Sequence, residues 1–218
     1  ENTGSGPITF DGLNYPEYIQ GSWHFPDGDL RVDSRHKIRV WGIYDILDTK
    51  RHKLNVSLLQ NYFAGQPYGA NTTINPSSFV TNPGYRTPTT SETYYFTARD
   101  AFHTDDITRT DLSFNYSFNI PIRGRDIEIF IQPEVINLFN EQGVIDPQGL
   151  DDDEGVTVLR GRLVDPANPA AGTRQFNPFT ETPQEGVDYR LSDTFGQPLN
   201  EGDFQQERTF RFSVGVRF

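Results

Sequence analysis

The strongest constraint on this chain is a two-residue alternation of apolar and polar side chains that recurs in separated segments. Across residues 111–120, Leu112, Phe114, Tyr116, Phe118 and Ile120 fall on one face, and Asp111, Ser113, Asn115, Ser117 and Asn119 fall on the other. Residues 209–218 repeat the pattern, with Phe210, Phe212, Val214, Val216 and Phe218 against Thr209, Arg211, Ser213, Gly215 and Arg217. Successive strand side chains point to opposite sides, whereas a helix needs apolar residues three and four apart, so these windows predict strands with one apolar face. Ile127, Ile129, Ile131 and Val135 alternate in the same way with Glu128, Gln132 and Glu134. Less cleanly, residues 37–46 put Ile38, Val40, Tyr44 and Ile46 on one side, and residues 53–62 do so with Leu54, Val56 and Leu58.

The connections between these strands carry as much information as the strands. Leu-Asp-Thr-Lys-Arg-His at 47–52 and Pro-Ile-Arg-Gly-Arg-Asp at 121–126 are short, whereas about 65–107 and about 140–205 far exceed the usual few residues. Short and long connections in strict alternation are the arrangement of outer-membrane barrels, with tight periplasmic turns and large external loops. The expected fold is therefore all-β: part of a transmembrane antiparallel β-barrel, formed by C-terminal strands with long extracellular loops. Its expected divisions are an extracellular loop at 1–34, a hairpin at 36–65, an extracellular loop at 66–106, a hairpin at 107–139, an acidic extracellular loop at 140–205 and a last strand at 206–218. Residues 140–205 contain 13 Asp or Glu and 4 Arg, a net of −9 out of −11 for the chain, so the acidity belongs to one loop. This balance argues against nucleic acid as a partner, because phosphate backbones need clustered Lys and Arg. A mean hydropathy of −0.62 fits a barrel, in which only alternate wall residues are apolar and large loops dilute them. No apolar run reaches the roughly 18 residues of a spanning helix. Tyr44, Tyr62, Phe63, Tyr116, Phe118, Phe139 and Phe218 fall near expected strand ends, where amphipathic rings favour the headgroup boundary. With no Met and a start at Glu1-Asn2-Thr3, the chain is expected to be a portion of a larger protein.

Several motifs then resemble one family. The terminal Thr-Phe-Arg-Phe-Ser-Val-Gly-Val-Arg-Phe (209–218) looks like the insertion signal of bacterial outer-membrane barrels, carried here by Phe210, Phe212, Val214, Val216 and Phe218. Glu134-Val135-Ile136-Asn137-Leu138-Phe139-Asn140 looks like the penultimate strand of TonB-dependent receptors. Arg35-His36-Lys37-Ile38-Arg39-Val40-Trp41-Gly42, Gly65-Gln66-Pro67-Tyr68 and Arg109-Thr110-Asp111-Leu112-Ser113 resemble the Oar-like branch of these receptors. The resemblance spans about 33–218, apart from the loop interiors. It implies the end of a 22-stranded barrel occluded by a plug, located in the bacterial outer membrane and importing a bulky nutrient. The implied partners are outer-membrane lipid and lipopolysaccharide, the rest of the barrel and plug, and, through the plug, the inner-membrane energy-coupling complex. Leu112, Phe114, Tyr116 and Phe118 are the expected lipid-facing residues.

A search for chemistry finds little. Asp151-Asp152-Asp153-Glu154 lacks the alternating ligands of an EF-hand and reads as a solvated acidic loop, at most bridging divalent ions to lipopolysaccharide. His24, His36, His52 and His103 show no HExxH or HxH spacing, and the absence of Cys removes thiolate sites. Gly4-Ser5-Gly6 is not a nucleophile elbow. Glu128 and Glu134 read as polar lining of a wet interior rather than an acid/base pair. Asn55, Asn71 and Asn115 head chance sequons. No catalytic residue, metal site or cofactor is expected. Two alternatives to a transport protein are a soluble β-sandwich binding glycan or peptide through Trp23, Tyr68 and Tyr85, and a barrel-borne lipid hydrolase. The lack of a Ser/His pair in strand register weighs against the hydrolase.

Overall fold

A computed structural model describes residues 27–81, 90–122, 125–151 and 153–218. In chain order its strands are β1 (Lys37–Asp48), β2 (His52–Phe63), β3 (Pro67–Tyr68), β4 (Asn71–Ile74), β5 (Glu92–Tyr95), β6 (Phe102–His103) and β7 (Ile107–Ile122). They continue with β8 (Arg125–Ile136), β9 (Val156–Val158), β10 (Arg162–Leu163), β11 (Thr173–Arg174), β12 (Tyr189–Leu191) and β13 (Thr209–Arg217). Among the described residues no α-helix forms, and every strand pair is antiparallel. The chain divides into two compact units.

One unit comprises Ser34–Gly65, Asp105–Ile145 and Gly202–Phe218, and it holds the five long strands in the order β1-β2-β7-β8-β13. All five segments read as strands from their alternation are there. The register aligns their apolar positions: Gly42, Leu58, Leu112, Val135 and Phe210 form one row across the sheet, and Leu47, Leu54, Tyr116, Ile131 and Val214 form another. Ile43, Ser57, Ser113, Glu134 and Arg211 form a row on the opposite face. A slip of one residue would exchange the two faces, so the alternation itself specifies the register. One detail departs from the alternation. A bulge between Asp45 and Leu47 sets Leu47 opposite Leu54, so Ile46 is the extra residue and does not continue the row of Ile38, Val40 and Tyr44. The β1–β2 turn closes through Thr49, whose N–H and hydroxyl both donate to the His52 carbonyl at 2.9 Å. Asn119 of β7 fastens that turn, donating from its backbone N–H to Arg51 O at 2.8 Å and from Nδ2 to Lys50 O at 3.2 Å. The sheet is open, ending on β1 and β13, and the described residues do not close a barrel.

The other unit comprises Glu1–Asp33, Gln66–Thr104 and Asp146–Glu201, of which the described residues build four two-stranded ladders: β3–β6, β4–β5, β9–β12 and β10–β11. The described parts of the two long connections are thus folded around a core of their own. Their core is Ala70, Ile74, Tyr94, Phe96, Val156, Phe176 and Tyr189, with Phe176 fully buried. The Tyr94, Phe96, Phe176 and Tyr189 rings pack with centroids 4.5–5.9 Å apart, spacings at which each pair adds roughly 0.5–1.5 kcal/mol beyond area burial. Gly161 permits one close approach, because a Cβ there would lie 2.3 Å from Val187 O.

Candidate functional site

The two faces of the five-stranded sheet differ in chemistry and form the candidate site; β1 and β13 are exposed on both, and Trp41 and Ile43 stand exposed on the otherwise polar face. On the apolar face Leu58 is 47 % exposed, Phe114 39 %, Tyr44 71 %, Phe210 73 % and Phe212 68 %. Leu112, Tyr116 and Phe118 lie on the same face of β7, partly exposed. Val214 and Val216 continue the face along β13, both exposed, and Phe218 follows the end of that strand fully exposed. None of these side chains belongs to the buried hydrophobic cluster, which lies wholly in the other unit. Exposed apolar side chains gathered on one face make it the candidate interaction surface of this unit.

The polar face is tied together by its own side chains. Ser57 and Ser113 hydroxyls meet across β2 and β7 at 3.1 Å, Arg39 Nε donates to Asn61 Oδ1 at 2.9 Å, and Arg109 pairs with Asp111 at 3.2 Å. Asn61, Asp111 and Ser117 are buried on this face. Glu128 is paired with Arg217 at 2.9 Å, and the Arg217 guanidinium lies 4.6 Å over the Phe130 ring. Gly215 is required there, because a Cβ at that position would stand 2.4 Å from the same ring. Glu134 lies in register between Ser113 and Arg211, so it shares the polar face of β8 with Glu128.

Where β8 leaves the sheet, the segment Asn137-Leu138-Phe139-Asn140 forms a latch that strand periodicity did not reveal. Asn137 is fully buried with φ 55°, and Asn140 has φ 54°, a left-handed conformation that Asn tolerates better than other non-glycine residues. Asn137 Nδ2 donates to Glu141 O and to Gln206 O at 2.9 Å each, while its Oδ1 accepts the Glu141 N–H at 2.9 Å. Its backbone N–H donates to Asp111 Oδ1 at 2.9 Å, and Asn140 Oδ1 accepts the Arg208 N–H at 3.0 Å. One Asn side chain therefore joins the exit of β8 to the approach to β13, and its backbone reaches the start of β7. The legible signal was two Asn three residues apart at a strand end.

The loop-built unit has an ionic framework of its own. Arg162 donates from Nε and Nη2 to the two oxygens of buried Asp188 at 2.9 and 2.8 Å. Arg174 holds Glu181 bidentately at 2.8 and 2.6 Å. The Arg174 hydrogen bonds, helped by the Asn177 N–H, hold the Glu181 carboxyl down at about 2. Burial, with the nearby Asp188 charge, pushes Tyr94 up to about 12. Each of these charges has its partner within the unit. Of the acidic run, Asp151, Asp153 and Glu154 are exposed, with Asp151 paired to Arg31 and Asp153 accepting the Thr73 hydroxyl at 2.7 Å, whereas Asp152 lies outside the described residues. No group of three His, Asp or Glu side chains suited to a metal ion occurs among the described residues. Tyr68, named above as a recognition aromatic, is buried against Phe102 and Phe195, while Trp23, His24 and Tyr85 lie outside the described residues.

In comparisons with known proteins, no family model, curated protein or solved structure matches the chain.

Proposed function

We propose that the chain forms part of the wall of a bacterial outer-membrane receptor of the TonB-dependent kind, importing a bulky nutrient. In this reading β1, β2, β7, β8 and β13 cross the membrane, with residues 66–106 and 140–205 outside. The observation that carries it is the inversion of hydrophobic order: the long-strand sheet presents its apolar face outward, while the buried core belongs to the loops. Leu112 to Ile120 rises roughly 27 Å along the strand at about 3.4 Å per residue, or roughly 20 Å across a layer at a barrel tilt of about 40°. That is near the roughly 25 Å apolar band of outer-membrane barrels. A soluble sandwich would need a second sheet over this face, and the remaining ladders among the described residues are two-stranded and built from the loop segments. The latch at Asn137 and Asn140 supports the resemblance, because both Asn of the motif have structural work at a strand exit.

The test is fractionation and surface proteolysis of cells making the full-length protein. The protein should pellet with outer membranes, leave them only in detergent, and be cut by external protease within 140–205. Release as a soluble protein on lysis, or cleavage at 49–51 with 140–205 protected, overturns the reading or its orientation.

A further inference from the structure

The apolar face of the sheet does not end alike at its two extremities. At the long-connection end Gln60 lies in register beside Thr110 and Tyr62 beside Thr108, the Tyr62 hydroxyl donates to Asp106 at 2.8 Å, and the cation just before β13, Arg208, donates to Leu138 O at 3.5 Å. At the short-turn end it finishes in cations. Arg125 sits in register with Ile122, which is itself 46 % exposed, so Arg125 is at the border of the apolar surface. On the neighbouring hairpin, Lys50 and Arg51 occupy the turn just before His52, which lies in register with Phe118 on the same face.

Lys50, Arg51 and Arg125 are all exposed, and among the described residues none of their side chains makes an ion pair or hydrogen bond. They contrast with the cations of the polar face at this end, Lys53 and Arg217, which are paired with Asp48 and Glu128. The free cations are also held in place. Asn119 fastens the carbonyls of Lys50 and Arg51 to β7, and Arg125 is the first residue of β8, in the run of pairs from Ile122↔Arg125 to Tyr116↔Ile131. The net −9 of residues 140–205 lies in the long connection, so the turns differ from it in sign.

We infer that Lys50, Arg51 and Arg125 form a docking rim for the phosphate groups of anionic phospholipids, whose acyl chains lie along the apolar face above them. The inference rests on the membrane-wall reading and adds to it a lipid preference at one named end. The chemistry is that of an apolar surface bordered by unpaired cations: the hydrocarbon part fixes depth, and each cation near an anionic headgroup layer adds attraction that salt screens. Arg supplies a planar fork for phosphate oxygens and Lys a compact charge.

The experiment uses the full-length protein purified in neutral detergent and titrated with dioleoylphosphatidylglycerol, dioleoylphosphatidylcholine or lipid A, reading the rise in Tm. Phosphatidylglycerol should raise Tm at low salt and do so less at high salt, with phosphatidylcholine much weaker. Each of Lys50→Gln, Arg51→Gln and Arg125→Gln should raise the half-saturating phosphatidylglycerol concentration roughly fivefold, and the triple variant roughly a hundredfold. Tm in detergent alone should be nearly unchanged, because these exposed side chains make no ion pair or hydrogen bond among the described residues. Lys53→Gln, on the polar face, and Arg208→Gln, just before β13 at the other end, should leave the titration as in wild type. An unchanged titration in the triple variant, an equal loss in Arg208→Gln, equal response to phosphatidylcholine, or preference for lipid A would each overturn the inference. A protein that stays in solution without detergent refutes the membrane-wall reading itself, whereas a detergent-dependent protein indifferent to phosphatidylglycerol refutes the rim alone.

Discussion

Asn137→Ala removes the latch while leaving every strand in place. The substitution deletes both Nδ2 donations, to Glu141 O and Gln206 O, and the acceptance from the Glu141 N–H. At about 1 kcal/mol net per hydrogen bond, more where a buried partner is left unsatisfied, the loss is roughly 3 kcal/mol. Ala must also hold φ 55°, which adds roughly 1 kcal/mol. Asn137→Gly loses the same hydrogen bonds without that strain. The backbone bond to Asp111 Oδ1 survives in both, so the effect is local opening rather than loss of the sheet. Amide hydrogen exchange reads it directly: the Glu141 N–H should exchange roughly 100-fold or more faster in Asn137→Ala, with Asn137→Gly closer to wild type by roughly fivefold. Amides of β1 and β2 should not change. Exchange at Glu141 within threefold of wild type in the Ala variant, or a Gly variant worse than Ala, would refute the latch.

Phe114→Arg on the exposed apolar face should destabilise the membrane-inserted protein by about 2–4 kcal/mol while Asn115→Arg on the polar face costs little; the reverse ranking in denaturant titrations would favour a covered sheet. Gly215→Ala should cost about 1–2 kcal/mol despite the better strand propensity of Ala, because its methyl displaces the Phe130 ring from beneath Arg217, and Phe130→Ala should remove most of that cost in a double-mutant cycle. Glu181 is held at about 2 against a usual 4.5, so its contribution is fully present above pH 4.5 and is lost as pH falls through about 2. Limited proteolysis of residues 160–175 should rise over that window, and Glu181→Gln should raise cleavage at neutral pH and flatten the acid limb. Deleting Phe218, exposed and beyond the end of β13, should lower the amount of protein reaching the outer membrane while leaving the Tm of purified protein nearly unchanged; normal abundance would remove its role as an insertion signal.

Sequence alone determined the five long strands, because a period of two in residues such as Leu112, Phe114, Tyr116 and Phe118 is a local property that survives without knowledge of any partner. It also determined which side chains share a face, since the backbone pleat admits only two directions. It did not determine the bulge at Ile46, where one extra residue shifts a face without altering composition, nor the unpaired state of Lys50, Arg51 and Arg125, which depends on where other strands place their carboxylates. Least legible were the long connections. Their strands run two to four residues, too short for any period to register, and their core joins Ile74 and Phe96 to Phe176 and Tyr189 across long sequence separations. Asn137 shows the same division: its type suggested a left-handed turn, but only tertiary structure brought Glu141 and Gln206 within reach of one amide. Alternation is written residue by residue along a strand, whereas contacts between distant segments exist only once the chain has closed on itself.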